Sequence, residues 1–91
     1  MSVAGIRFKI MPEGLDVNLD EIKSKAKEVI ESFEGGIFSE AIEEPIAFGL
    51  KALIITLALP ENQDSDTVEN KLSGVSGVSS VELIDYRRAV G

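Results

Sequence analysis

Ninety-one residues, 44% hydrophobic and 27% charged, describe one small globular domain, 1–91, able to bury roughly 60–65% of its unfolded surface and too small for an active-site cleft between domains. The net charge of −7 disfavours a nucleic-acid partner, because phosphate backbones are held by clustered lysine and arginine; a basic protein partner suits it better. With no cysteine and no histidine, disulfides, thiolate chemistry, cysteine-rich zinc sites and the commonest general base are all excluded, which weighs against an enzyme.

From Val3 to Met11 the chain alternates, with Ile6, Phe8 and Ile10 on one side and Arg7, Lys9 and Met11 on the other. That is the two-residue period of a half-buried strand. Pro12, Gly14 and Asp16 end it. Asn18 then suits a helix N-cap, with Glu21 three residues on to reach back and Val17 and Ile22 spaced as a hydrophobic staple. Ile22, Ala26, Val29, Ile30 and Phe33 recur at helical spacing as one apolar stripe, and Gly35 and Gly36 stop the helix near Glu34. Ile37 to Glu44 alternates poorly and reads as an edge strand, guarded from other chains by Glu40, Glu43 and Glu44.

The third strand, Phe48 to Leu59, is apolar on almost every residue. Leu53, Ile55, Leu57 and Leu59 share one face; Leu50, Ala52, Ile54 and Ala58 share the other, a pattern that wants cover on both sides. Its longest apolar run, Leu53 to Pro60, is strand length and interrupted by Thr56, and the N-terminus has no basic region followed by an apolar core. Neither a membrane span nor a membrane partner is expected, and the expected location is cytoplasmic. Pro60, Asn62 and Asp64 end the strand. Asp66 and Glu69 repeat the capping-box spacing at the head of a shorter helix that carries Val68 and Leu72 inward. Gly74 and Gly77 close it, and a last strand runs from Val78 to about Arg87, with Val81 and Leu83 toward the core and Asp85, Arg87 and Arg88 at the far end.

The order βαββαβ implies an α+β ferredoxin-like sandwich: a four-stranded antiparallel sheet in the order 4-1-3-2 with two helices on one face. That fold hosts many functions, so the site needs its own argument. An RNA-recognition module needs aromatics on its central strands, and this chain has four Phe and one Tyr in all. A metal chaperone of this topology needs two cysteines, and an acylphosphatase-like enzyme needs an arginine in the first loop, where Met11-Pro12-Glu13-Gly14 stands instead. The carboxylates at Glu43, Glu44, Asp64, Asp66 and Asp85 have no spacing that specifies a metal site or acid-base work, and read as solvated strand ends and caps. A small-ligand-sensing regulatory domain that dimerises through its open sheet face stays open as an alternative, as does a structural subunit.

The segment Glu43-Glu44-Pro45-Ile46-Ala47-Phe48-Gly49-Leu50-Lys51 carries the candidate site. Pro45 belongs at a strand edge or end, and Gly49 has no side chain to shield Phe48, which reads either as the first core residue of the third strand or as an exposed anchor. Arg87 and Arg88 read either as solvated or as a cationic tip. The start of the third strand and the end of the fourth are expected on one side of the domain, which would bring Phe48 and the two arginines onto one compact surface.

With those motifs in view, the chain resembles the archaeal elongation factor 1-beta family. The resemblance runs from Ile6-Arg7-Phe8-Lys9-Ile10-Met11-Pro12 through Glu43 to Leu50, and on to Gly77-Val78-Ser79-Ser80-Val81-Glu82 and Asp85-Tyr86-Arg87-Arg88. It implies a guanine nucleotide exchange factor that binds the translational GTPase elongation factor 1-alpha and promotes GDP release, with no covalent chemistry, cofactor, metal or tightly bound nucleotide of its own, and no direct nucleic-acid contact. In the eukaryotic relatives a phenylalanine before the third-strand glycine contacts the GTPase, which matches Phe48 and Gly49. A lysine near their C-terminus enters the magnesium and phosphate region, and the last strands align it with Arg88 or with Arg87. Here an arginine, bulkier and more weakly hydrated, stands in its place, and Ala89, Val90 and Gly91 follow it.

Overall fold

The computed structural model describes residues 2–89. Its elements follow the order β1 (Val3–Pro12), α1 (Leu19–Glu31), β2 (Ile37–Pro45), β3 (Lys51–Pro60), α2 (Ser65–Ser73) and β4 (Val78–Ala89). The sheet order is β2-β3-β1-β4, which is 4-1-3-2 read from the other edge, and every pairing is antiparallel. This is the ferredoxin-like arrangement that the element order predicts. Among the described residues no helix is long and apolar enough to cross a membrane.

The two-residue period of β1 puts Ala4, Ile6, Phe8 and Ile10 under the helices, directly opposite Leu59, Leu57, Ile55 and Leu53 of β3. Ile22, Ala26 and Ile30 of α1 and Val68 and Leu72 of α2 complete the core. Full burial of each large apolar side chain contributes about 1.5–3 kcal/mol, so this two-layer packing is what holds the domain together. On the other face Ala52 and Ile54 are also buried within the single chain.

The helix ends differ from expectation in two places. The Asn18 side chain accepts from the backbone N–H groups of Asp20 and Glu21, as an N-cap should, but α1 stops at Glu31 with Ser32 as its C-cap, one turn before Glu34. For α2 the cap is Asp64, not Asp66: the Asp66 N–H donates to Asp64 Oδ1 at 2.9 Å. Asp64 has the extended backbone an N-cap requires, whereas Asp66 is already inside the first turn.

β4 runs two residues further than expected and carries a bulge. Arg7 faces Asp85 while the next residue, Phe8, faces Leu83, leaving Ile84 without a partner. The bulge resets which residues share a face, so Arg88, opposite Ala4, points to the helix side and Arg87, opposite Gly5, to the open side. Leu83 pairs with buried Phe8 yet stays 40% exposed, against the expectation that it faces the core. The nine residues of α2 cover only about 14 Å at 1.5 Å per residue, whereas the twelve of β4 extend about 40 Å at ~3.3 Å per residue, so helix cover runs out along this edge strand.

Candidate functional site

β3 begins at Lys51, not at Phe48, and Phe48 belongs to the turn that joins it to β2. The Leu50 N–H donates to the Ala47 carbonyl at 3.1 Å and the Ile46 N–H to the Leu50 carbonyl at 2.8 Å, closing a tight hairpin. Both central residues have positive φ, 59° at Phe48 and 78° at Gly49. Such turns match the right-handed twist of the flanking strands and normally take Asn-Gly or Gly-Gly. Glycine at 49 meets that demand. Phenylalanine at 48 does not, because a Cβ in this region crowds the neighbouring carbonyl and raises the energy by about 1–2 kcal/mol. Phe48 is also 93% exposed, which resolves the two readings of its position in favour of the surface.

The loop between β1 and α1 lies against this hairpin. The Glu13 N–H donates to the Gly77 carbonyl at 2.9 Å, which ties the start of the loop to the segment before β4, and the Val17 N–H donates to the Gly14 carbonyl at 3.4 Å, which closes a turn within the loop. Gly77 has φ of 90°, and a Cβ there would stand 2.9 Å from Val17 Cγ1, so this anchoring point accepts only glycine without movement. Between loop and hairpin opens a cleft of about 340 Å³, lined among others by Val17, Leu19, Leu50 and the ion pair of Lys51 with Glu43 at 3.5 Å. Leu15, at the loop's crest, is 70% exposed. The sequence reading missed it, though an apolar residue set between Glu13-Gly14 and Asp16, outside any periodic pattern, was a signal available to it.

The arginines are elsewhere. β3 and β4 are both antiparallel to β1 and therefore parallel to each other: Ile10 pairs with Leu53 and Val81 at one end of the sheet, Ala4 with Leu59 and Arg88 at the other. The start of β3 and the end of β4 thus lie at opposite ends, separated by the length of a ten-residue strand, about 30 Å at ~3.3 Å per residue. The expected compact surface joining Phe48 to Arg87 and Arg88 does not form. Arg87 Nε sits 3.2 Å from Asp85 Oδ2 on the open side, and Arg88 Nε 3.6 Å from Glu61 Oε1 just beyond β3. Both guanidiniums are largely exposed, and ion pairs of this kind contribute at most about 1 kcal/mol, so either can be released to another acceptor.

A family model for the EF-1 guanine nucleotide exchange domain matches residues 5–88, a span that takes in both ends of the sheet. The chain belongs to this family. It is 40% identical over 89 residues to elongation factor 1-beta of Methanosarcina barkeri, covering 97% of this chain and 99% of that protein. It is likewise 41% identical over 82 residues to elongation factor 1-beta of Methanothermobacter thermautotrophicus, covering 89% and 90%. Among solved structures, the ACT domain from GTP pyrophosphokinase of Chlorobium tepidum superposes with a TM-score of 0.56 over 90% of this chain and 96% of that one. At 23% identity that likeness shows the shared fold. Membership of the exchange family gives the chain a nucleotide-exchange role in translation elongation, one exercised by protein contact.

Proposed function

We propose that this exchange domain promotes release of GDP from the translational GTPase elongation factor 1-alpha, with Phe48 and Gly49 forming one contact and Arg88 or Arg87 the other. The observation that carries this reading is Phe48, an aromatic residue placed in water on a backbone conformation that disfavours it. Folding gains nothing from that placement, and unfavourable local choices of this kind gather where a partner or ligand repays them. An aromatic side chain that fills a pocket on the GTPase supplies the kind of anchor that dominates protein interfaces.

The geometry shapes the mechanism. With about 30 Å of strand between them, the aromatic and the cation act on separate regions of the GTPase rather than in a single pocket. A guanidinium brought to where the GTPase holds magnesium opposes the metal by charge and loosens the phosphates it bridges. Phe48 docks the domain so that the cation is delivered there. Exchange then follows from reciprocity: a protein that binds the nucleotide-free GTPase more tightly weakens nucleotide binding by the same factor. No bond to the nucleotide is made or broken.

The alternative of a sensor that dimerises through its open sheet face would have a second copy cover Leu50, Ala52 and Ile54, but Ala52 and Ile54 are already 0% and 8% exposed in one chain, and Leu50 lines the cleft beside the hairpin. The deciding experiment is release of fluorescent GDP from the cognate elongation factor 1-alpha with and without this protein. The proposal expects release to accelerate with protein concentration and then saturate; an unchanged rate sinks it.

A further inference from the structure

We propose that the hairpin end grips its partner with two apolar side chains, Leu15 as well as Phe48, and that the partner segment they contact is apolar and flanked by lysine or arginine. This deepens the exchange reading and rests on it. Leu15 and Phe48 come from segments far apart in sequence, yet Leu15 Cδ2 lies only 3.5 Å from where a Cβ on Gly49 would stand. That is ordinary van der Waals contact, so the loop crest abuts the hairpin tip. Because position 49 is glycine, no side chain roofs Leu15, which stays 70% exposed, while Phe48, the residue before Gly49 in the same turn, stays 93% exposed. Isolated exposed apolar residues are common, but two presented by a loop and a hairpin that abut at Gly49 make a contact patch.

The rim identifies the partner's chemistry. Glu13 and Asp16 flank Leu15 on its loop, and Asp20 lines the cleft beneath. None of these three carboxylates has an ion-pair partner among the described residues. The cleft's one cation, Lys51, is matched by Glu43 at 3.5 Å. An apolar centre inside an acidic rim is complementary to an apolar segment bracketed by basic side chains, and repels an acidic one.

The test uses the full chain in the GDP-release assay, titrated against the GTPase at two salt concentrations. Leu15→Ser is expected to raise the concentration for half-maximal exchange about tenfold, the effect of losing one interface contact of moderate weight, with the melting temperature unchanged. Asp16→Lys is expected to weaken the encounter several-fold at low salt and much less at high salt. If the native chain accelerates release and Leu15→Ser titrates identically to it, the two-residue grip is overturned while the exchange reading stands. If Asp16→Lys binds more tightly than the native chain, the basic-flanked partner segment is overturned. If the native chain itself fails to accelerate release, the exchange reading falls and this inference with it.

Discussion

Replacing Phe48 by asparagine separates what the residue does for folding from what it does for a partner. With 93% of its surface in water, Phe48 has less than a tenth of its area to lose, about 0.2 kcal/mol at the ~3 kcal/mol that full burial of a phenylalanine is worth. Against that stands the backbone: φ of 59° raises an ordinary residue by about 1–2 kcal/mol, and asparagine, whose short side chain bonds to its own backbone, relieves roughly half. The balance predicts that Phe48→Asn raises stability by about 0.5 kcal/mol, or a melting temperature higher by about 2–4 °C for a chain of this size. Thermal unfolding followed by circular dichroism reads the shift directly. Stimulated GDP release should meanwhile fall about 30-fold, the loss of an anchor worth ~2 kcal/mol. A variant more than ~1 kcal/mol less stable than the native chain would mean that Phe48 packs against something. A more stable variant with undiminished exchange would remove the reason for having a phenylalanine there.

Gly49→Ala should lower stability by about 1–2 kcal/mol in urea unfolding, because φ of 78° and not space is what excludes a side chain there; no loss would mean that the turn relaxes without cost. Arg88→Ala and Arg87→Ala should each change stability by less than ~1 kcal/mol, since their pairs with Glu61 and Asp85 are exposed. The variant that slows GDP release identifies which arginine carries the cation, and neither doing so refutes its role. Combining Phe48→Asn with Arg88→Ala should give an exchange defect close to the product of the two single defects, because residues at opposite ends of the sheet share no partners and their effects add in free energy. A double variant no slower than the worse single one would mean that the two ends do not contribute to the same complex.

The architecture was legible because its signals are local and repeat. The alternation of Val3 to Met11, the stripe of Ile22, Ala26 and Ile30, and the Asn18 cap each appear in the structure where the pattern puts them. The errors arose where pattern gives way to backbone detail. Phe48 continues the apolar run of β3 in sequence, and only the two positive φ values show that the chain is already turning. Leu83 fits the inward alternation of β4, but periodicity does not reveal how far a short helix reaches. The Ile84 bulge, which decides which way Arg87 and Arg88 point, leaves no compositional trace.

The separation of Phe48 from the arginines needed only topology. Once β3 and β4 both pair antiparallel with β1, they must run the same way, and the first residue of one cannot neighbour the last of the other. That geometry turns the sheet into a spacer of fixed length. Its two central strands, β1 and β3, carry most of the fully buried large side chains, Phe8, Ile55 and Leu57 among them, and close-packed interiors resist the small displacements that would let the ends move independently. The aromatic tip stands at the hairpin where β3 starts and the cations at the strand end where it finishes, so the best-packed part of the molecule sets the distance between the two proposed contacts. An interface built on this plan selects a partner by span as well as by pocket and charge, since a GTPase whose two contact regions lie at a different spacing can engage one end of the sheet but not both.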